Sequence, residues 1–277
     1  MQMQTQRIEI EGVSSSPISV NCALLGVSET PSPESAERET LVFLEGWGTS
    51  ISIYPRLLEH MAHFIPVAAM DYPGFGGTAE PDKPWEVTDF ADFVCAFIEK
   101  LGLKKVVLMG HSHGGRIAVE LASRENLPFT ITRMILMDAA GVILPKTAKQ
   151  KFRQRQYKIC RKILELPFCR VLYPDALENL RRSHGSADYL NASPLMRQTL
   201  VRCVNTDMTV KMPGVKVPAL MIWGEKDTAT PIETGETMEK LIPSAALIRV
   251  PGAGHFPFVD NWELTARVLA SYLNAEE

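Results

Sequence analysis

The chain has 277 residues, 45% of them apolar and 22% charged, with a formal net charge of −3. This suits one large packed domain with room for an insertion, and it excludes the strongly basic balance of a nucleic-acid binder. The apolar runs are short and broken by charge, so no membrane span is expected.

Two short β-like segments come first, Arg7–Glu11 and Ile18–Leu25, and read as a hairpin. The stretch Ser28–Glu39 carries two prolines and several charges and reads as a surface loop. Apolar runs of strand length then recur at Leu41–Leu44, Val67–Met70, Val106–Met109, Met134–Met137, Ala219–Trp223 and Ala246–Val250. Short continuous runs of this kind suit strands buried on both faces of a parallel sheet. Helical patterns separate them. Val87–Leu101 puts Phe90, Phe93, Val94, Phe97, Ile98 and Leu101 on one face. Thr88-Asp89 reads as its start and Gly102 as its stop. Arg116–Ser123, Ile232–Ile242 and Glu263–Leu273 read as further helices. The alternation predicts an α/β fold with a central, mostly parallel sheet and helices on both faces.

One stretch breaks the rhythm. Between Asp138 and Pro218 lies a helical segment several times the usual connection length. It reads as an inserted cap over residues 142–210, with a core of residues 1–141 and 211–277. Lys146–Lys162 holds only basic charge, and Phe152, Ile159, Ile163 and Leu166 can share one helix face. The basic stripe reads first as a solvated face; its sharper reading is attraction of an anionic substrate or a membrane surface. Phe152, Tyr157, Phe168, Leu172 and Tyr173 are expected to serve packing. The five cysteines, at positions 22, 95, 160, 169 and 203, include no Cys-x-x-Cys pair. A disulfide frame or zinc site is therefore not expected, and with a polar start lacking a secretion core the default setting is a reducing cytoplasm.

The chemistry concentrates in Gly110-His111-Ser112-His113-Gly114-Gly115. It matches Gly-x-Ser-x-Gly between a strand candidate, Lys104–Met109, and a helix candidate, so Ser112 is the expected nucleophile on a sharp strand-to-helix turn. A serine hydroxyl needs a base near neutral pH. His255, in Gly252-Ala253-Gly254-His255, follows the last strand and so falls at the carboxyl edge of the sheet with Ser112. Asp227, just past another strand, is the leading acid to orient that histidine; Glu225 and Asp138 compete for the role. His111-x-His113 has metal-ligand residue types but no third ligand nearby, so no metal is expected. Asp71 reads as structural, bonding backbone in its glycine loop.

Taken together these landmarks resemble the α/β-hydrolase fold superfamily, nearly from end to end. Leu41–Gly48 resembles its oxyanion-loop strand, Asp71–Thr78 the loop after the next strand, Gly110–Gly115 the elbow, Gly224–Asp227 the acid turn and Gly252–His255 the histidine loop. The resemblance implies an eight-stranded sheet, a cap after the sixth strand, and Ser112, Asp227 and His255 as a triad. It also implies an oxyanion hole from the backbone N–H groups of Trp47 and His113. Where the family usually has His-Gly, this chain has Glu45-Gly46; Glu45 reads as a buried carboxylate bonded to loop backbone, with a role as an extra acid as the alternative.

The implied activity is serine hydrolysis of a carboxylic ester or similar acyl bond of a small molecule, with no cofactor. Two rival readings remain: a carbon–carbon bond hydrolase of vinylogous diketone acids, and a ligand receptor of the same fold with slow turnover. The oligomeric state leaves no mark in the sequence.

Overall fold

Continuous apolar runs form strands here because both faces of the sheet are covered. The structure, a computed structural model, describes residues 2–145, 147–184 and 186–274. Eight strands are described: β1 (Thr5–Ile10), β2 (Ile18–Leu25), β3 (Glu39–Leu44), β4 (Val67–Met70), β5 (Lys105–His111), β6 (Thr130–Met137), β7 (Ala219–Gly224) and β8 (Ala245–Val250). Their order across the sheet is β1-β2-β4-β3-β5-β6-β7-β8. β2 pairs antiparallel with β1 and with β4, and the remaining pairs are parallel.

The pleat sorts side chains between two apolar layers. From β3, Val42 and Leu44 enter one core, while Leu41 and Phe43 enter the other. Every one of these four is fully buried, each worth about 1.5–3 kcal/mol of transfer free energy.

The helices, in chain order, are α1 (Pro33–Glu37), α2 (Pro55–Met61), α3 (Val87–Lys100), α4 (His113–Ala122), α5 (Ala148–Leu164), α6 (Pro167–Leu172), α7 (Ala176–His184), α8 (Ala187–Asn191), α9 (Pro194–Val204), α10 (Ile232–Leu241), α11 (Pro257–Asp260) and α12 (Trp262–Asn274). α3 and α4 pack together on one face of the sheet, and α2 meets α12 on the other. No helix among the described residues is long and apolar enough to cross a membrane.

Several expectations are corrected. The Ser28–Glu39 loop contains the short helix α1. α3 is capped at Glu86 and starts at Val87 rather than Thr88: the Glu86 and Asp89 side chains cap each other's backbone N–H groups, a reciprocal arrangement that an acid pair can make as well as the usual serine and glutamate. α5 buries no apolar face. Phe152, Ile159, Ile163 and Leu166 are all exposed, as are Phe168, Leu172 and Tyr173. A helix this basic makes its contacts with α6 and α7 rather than with the sheet. Lys146, the first residue of the basic stretch, lies outside the described residues.

Candidate active site

At Ser112 the chain turns from β5 into α4 with φ 51° and ψ −111°. Positive φ is strained for a residue with a Cβ and persists only where the surroundings impose it. The surroundings do so through small residues and backbone bonds. A Cβ on Gly114 would stand 2.0 Å from the Leu44 carbonyl oxygen, and one on Gly110 2.6 Å from the Gly114 backbone. Ser112 N–H donates to Met137 O at 3.0 Å, and Ser112 O accepts from Ala140 N–H at 2.8 Å. The turn thus brings β3, β5, β6 and α4 into backbone contact and leaves the serine side chain at the edge of the sheet.

His255 and Asp227 come from the loops after β8 and β7. His255 Nδ1 lies 2.7 Å from Asp227 Oδ2. The same oxygen accepts from the Thr230 hydroxyl at 2.5 Å, and Oδ1 accepts from Ala229 and Thr230 N–H at 2.7 and 3.1 Å. Burial alone would raise this carboxyl, but the hydrogen bonds from His255 and Thr230 outweigh it and hold the pKa at about 2. An ionised acceptor at Nδ1 requires the proton there, which leaves Nε2 as the basic nitrogen.

The competing acids separate. Glu225 is exposed and has no bond to His255 among the described residues. Asp138 is fully buried. Its Oδ1 accepts from Gly224 N–H at 2.9 Å, while its Oδ2 accepts no hydrogen bond among the described residues and its carboxyl neighbours that of Asp227. Burial, with the Asp227 charge adding to it, pushes its pKa up to about 9. Asp138, Asp227 and His255 bring three possible ligand atoms within 4.8 Å of one another. The 2.7 Å contact between His255 Nδ1 and Asp227 Oδ2 is a hydrogen bond, so these two atoms engage each other.

His111 and His113, next to the serine, point to different surroundings. His111 Nε2 lies 2.8 Å from the carbonyl oxygen of His255, which can only accept, so Nε2 carries the proton. Its Nδ1 then accepts from the Tyr54 hydroxyl at 3.0 Å. The hydroxyl accepts in turn from Gly46 N–H at 3.3 Å and lies 3.2 Å from Thr49 Oγ1, which is also 3.2 Å from Glu45 Oε2. Burial lowers His111 to about 3, with the neighbouring His255 adding to the effect, so it works as a neutral strut beneath His255. Glu45 accepts from Tyr72 N–H at 2.9 Å; burial, then the nearby Asp71, pushes its pKa well up. Glu45 is thus a buried link in the loop scaffold. Asp71 accepts from Gly77 N–H and from Ile51 N–H, both at 2.7 Å, and ties the glycine loop to the loop after β3.

Ser112, His255, Trp47 and His113 all line one cavity of about 670 Å³. Among the described residues no hydrogen bond joins the Ser112 hydroxyl to His255, a contact that often tightens only when substrate is present. The backbone N–H groups of Trp47 and His113 donate to no group among the described residues. His113 is the first residue of α4, where N–H groups have no partner within the helix. Sequence reasoning missed three lining residues. Thr230 follows Asp227 at a turn spacing that suits side-chain capture. His111 was considered only as a metal ligand. Arg116 lies in the first turn of α4, four positions after the serine that precedes the helix.

Residues 41–268 match the profile of a family described as the alpha/beta hydrolase family. An AB hydrolase superfamily protein of Bacillus subtilis (strain 168), YisY, is 24% identical, with 85% of this chain and 91% of that protein covered. The pimeloyl-[acyl-carrier protein] methyl ester esterase of Neisseria meningitidis serogroup C (strain FAM18) is 25% identical, covering 87% of this chain and 95% of that protein. Among solved structures, the esterase EaEST of Exiguobacterium antarcticum superposes with a TM-score of 0.71 at 20% identity, over 98% of this chain and 100% of that one. That superposition bears on the fold, and the profile bears on descent: running from β3 into α12, it shows that the chain belongs to the alpha/beta hydrolase family.

Proposed function

We propose that this protein is a serine hydrolase that cleaves a carboxylic ester, or a similar acyl bond, of a small molecule through an acyl-enzyme on Ser112. The observation that carries the reading is the positive-φ serine at the β5–α4 turn opening on the same cavity as His255, whose Nδ1 is bonded to Asp227. Ser112 Oγ attacks the acyl carbonyl while His255 Nε2 takes its proton. The oxyanion is received by the N–H groups of Trp47 and His113, each such donor being worth about 3 kcal/mol of barrier. Collapse expels the alcohol, which takes the proton from His255, and water repeats the sequence to release the acid. In this reading residues 142–210 are the cap over the pocket, and residues 1–141 with 211–277 are the core. The esterase relatives support ester hydrolysis as the reaction class.

The test is a series of p-nitrophenyl esters of rising chain length with wild type and Ser112→Ala. Wild type is expected to turn over the shorter esters, and the variant to lose about 1,000-fold or more in kcat. Labelling by a fluorophosphonate should disappear with the hydroxyl. Equal turnover by both proteins would overturn the assignment.

A further inference from the structure

Among the described residues, Arg116 is a cation without a counter-ion. It sits on α4 one turn beyond Ser112, is 7% exposed, and lines the same cavity. Its Nε is buried without a hydrogen-bond partner, and among the described residues no carboxylate comes within ion-pair distance of its guanidinium. Asp207 and Cys203 act on it only at longer range. Asp207 itself is exposed, with Oδ1 accepting from Thr209 N–H at 3.0 Å. The single acidic side chain lining the cavity among the described residues is Asp188, which is exposed at the start of α8. Beside Arg116, His113 has both ring nitrogens buried and unpartnered. Burial first, and the Arg116 charge second, hold that ring neutral, with a pKa lowered to about 3.

An unpaired buried charge is costly, and a guanidinium does not escape the cost by losing its proton. Proteins hold such a group where something else completes it. The planar fork of arginine matches a carboxylate with two parallel hydrogen bonds. Arg116, in the first turn of α4, lines the same cavity as Ser112, within reach of a short substrate whose carbonyl is already at the serine. The positive end of α4 favours negative charge in the same place.

We propose that Arg116 is the carboxylate receptor of this pocket, so that the preferred substrates are small esters bearing a carboxylate a few bonds from the scissile carbonyl. The proposal rests on Ser112 being the nucleophile, and it adds the charge and size of what Ser112 attacks.

The experiment compares matched pairs. Monomethyl glutarate against methyl pentanoate places the carboxylate on the acyl side. 4-Acetoxybenzoate against phenyl acetate places it on the leaving side. Wild type is expected to favour the carboxylated member of one pair by about tenfold or more in kcat/KM, the range of a charge-assisted bidentate contact. Arg116→Met keeps the side-chain length without the charge and should cut that preference at least about tenfold, mainly through KM. Arg116→Lys should keep part of it. Absence of preference in both pairs, or a preference undiminished in Arg116→Met, overturns the proposal. An equal loss on both members of a pair does so too, because it makes Arg116 a packing residue. Should Arg116→Met not fold, Arg116→Lys and competitive inhibition of wild type by free glutarate, with glutaramide as the neutral control, decide the same question. Failure of the hydrolase reading looks different: wild type then cleaves none of the four esters. In that event glutarate binding to Ser112→Ala, measured by calorimetry and weakened at least about tenfold by Arg116→Met, still supports the carboxylate site, and its absence ends it.

Discussion

Asp138 and Asp227 lie side by side at the strand ends, yet their environments drive them in opposite directions. Burial holds Asp138 protonated up to about pH 9, while hydrogen bonds hold Asp227 ionised down to about 2. An unfolded aspartate titrates near about 3.9. Between that value and 9 the folded chain keeps a proton on Asp138 that the unfolded chain has released, so this group makes stability fall as pH rises through the window. Asp227 does the reverse: its contribution is complete above about 4 and is lost as pH falls toward 2. Asp138→Asn preserves the acceptor for Gly224 N–H and cannot ionise. Melting temperatures recorded from pH 5 to 9 should therefore decline less steeply in this variant than in wild type; parallel curves would remove Asp138 as the cause. Tyr54→Phe tests the strut beneath His255. It leaves His111 Nδ1 without its donor and should cost about 1 kcal/mol in urea unfolding, with a fall in kcat of several-fold as His255 loses its support. An unchanged kcat would limit Tyr54 to packing against Phe43 and Phe258.

At the level of elements, the inner strands β3, β4 and β7 were legible because their burial writes itself as apolar runs. β4, for example, is only four residues long, but Val67, Ala68, Ala69 and Met70 are all fully buried. α2 left a fainter trace: Pro55 at its first position and Leu57, Leu58 and Met61 buried on one side, too short a pattern to declare a period. The elbow was legible for a different reason, since glycines there answer to close approach. Gly114 and Gly252 separate the two uses of this residue. Gly252 has φ +76° and nothing within 4 Å of a Cβ, whereas Gly114 would drive a Cβ onto the Leu44 carbonyl oxygen. Gly252→Ala should therefore cost about 1 kcal/mol, the strain of the left-handed conformation. Gly114→Ala should cost more, about 3 kcal/mol or above, because backbone of β3 cannot move aside as a flexible side chain can. Urea denaturation of the two variants orders them; equal losses would contradict the role of space at the elbow. The histidine strut stayed hidden because the bonds of His111 reach Tyr54 and His255, 57 and 144 positions away, and no local pattern records such distances.

Across the whole molecule, the helices between β6 and β7 are secured unevenly. Their helical character was readable from composition, but which of them docks depends on a few long-range bonds. α9 is pinned to the loop before α3: Trp85 N–H donates to Thr199 Oγ1 at 3.1 Å, Arg202 donates to Pro84 O at 3.0 Å, and Ser193 Oγ donates to Glu80 at 2.9 Å. Met196, Thr199, Leu200 and Cys203 are buried there. α5 has no buried residue among those described and packs on α6 and α7. A helix of 17 residues without a buried face is marginal in water, so its opening should require far less than global unfolding. Hydrogen exchange followed by mass spectrometry should show amides of α5–α7 exchanging first, α9 with the intermediate set, and β3, β5 and β6 last. Trypsin at low ratio should cut first among the lysines and arginines of α5, leaving α9 attached to a folded core. Protection of α5 equal to that of β5 would mean that these helices are held by more than their visible contacts.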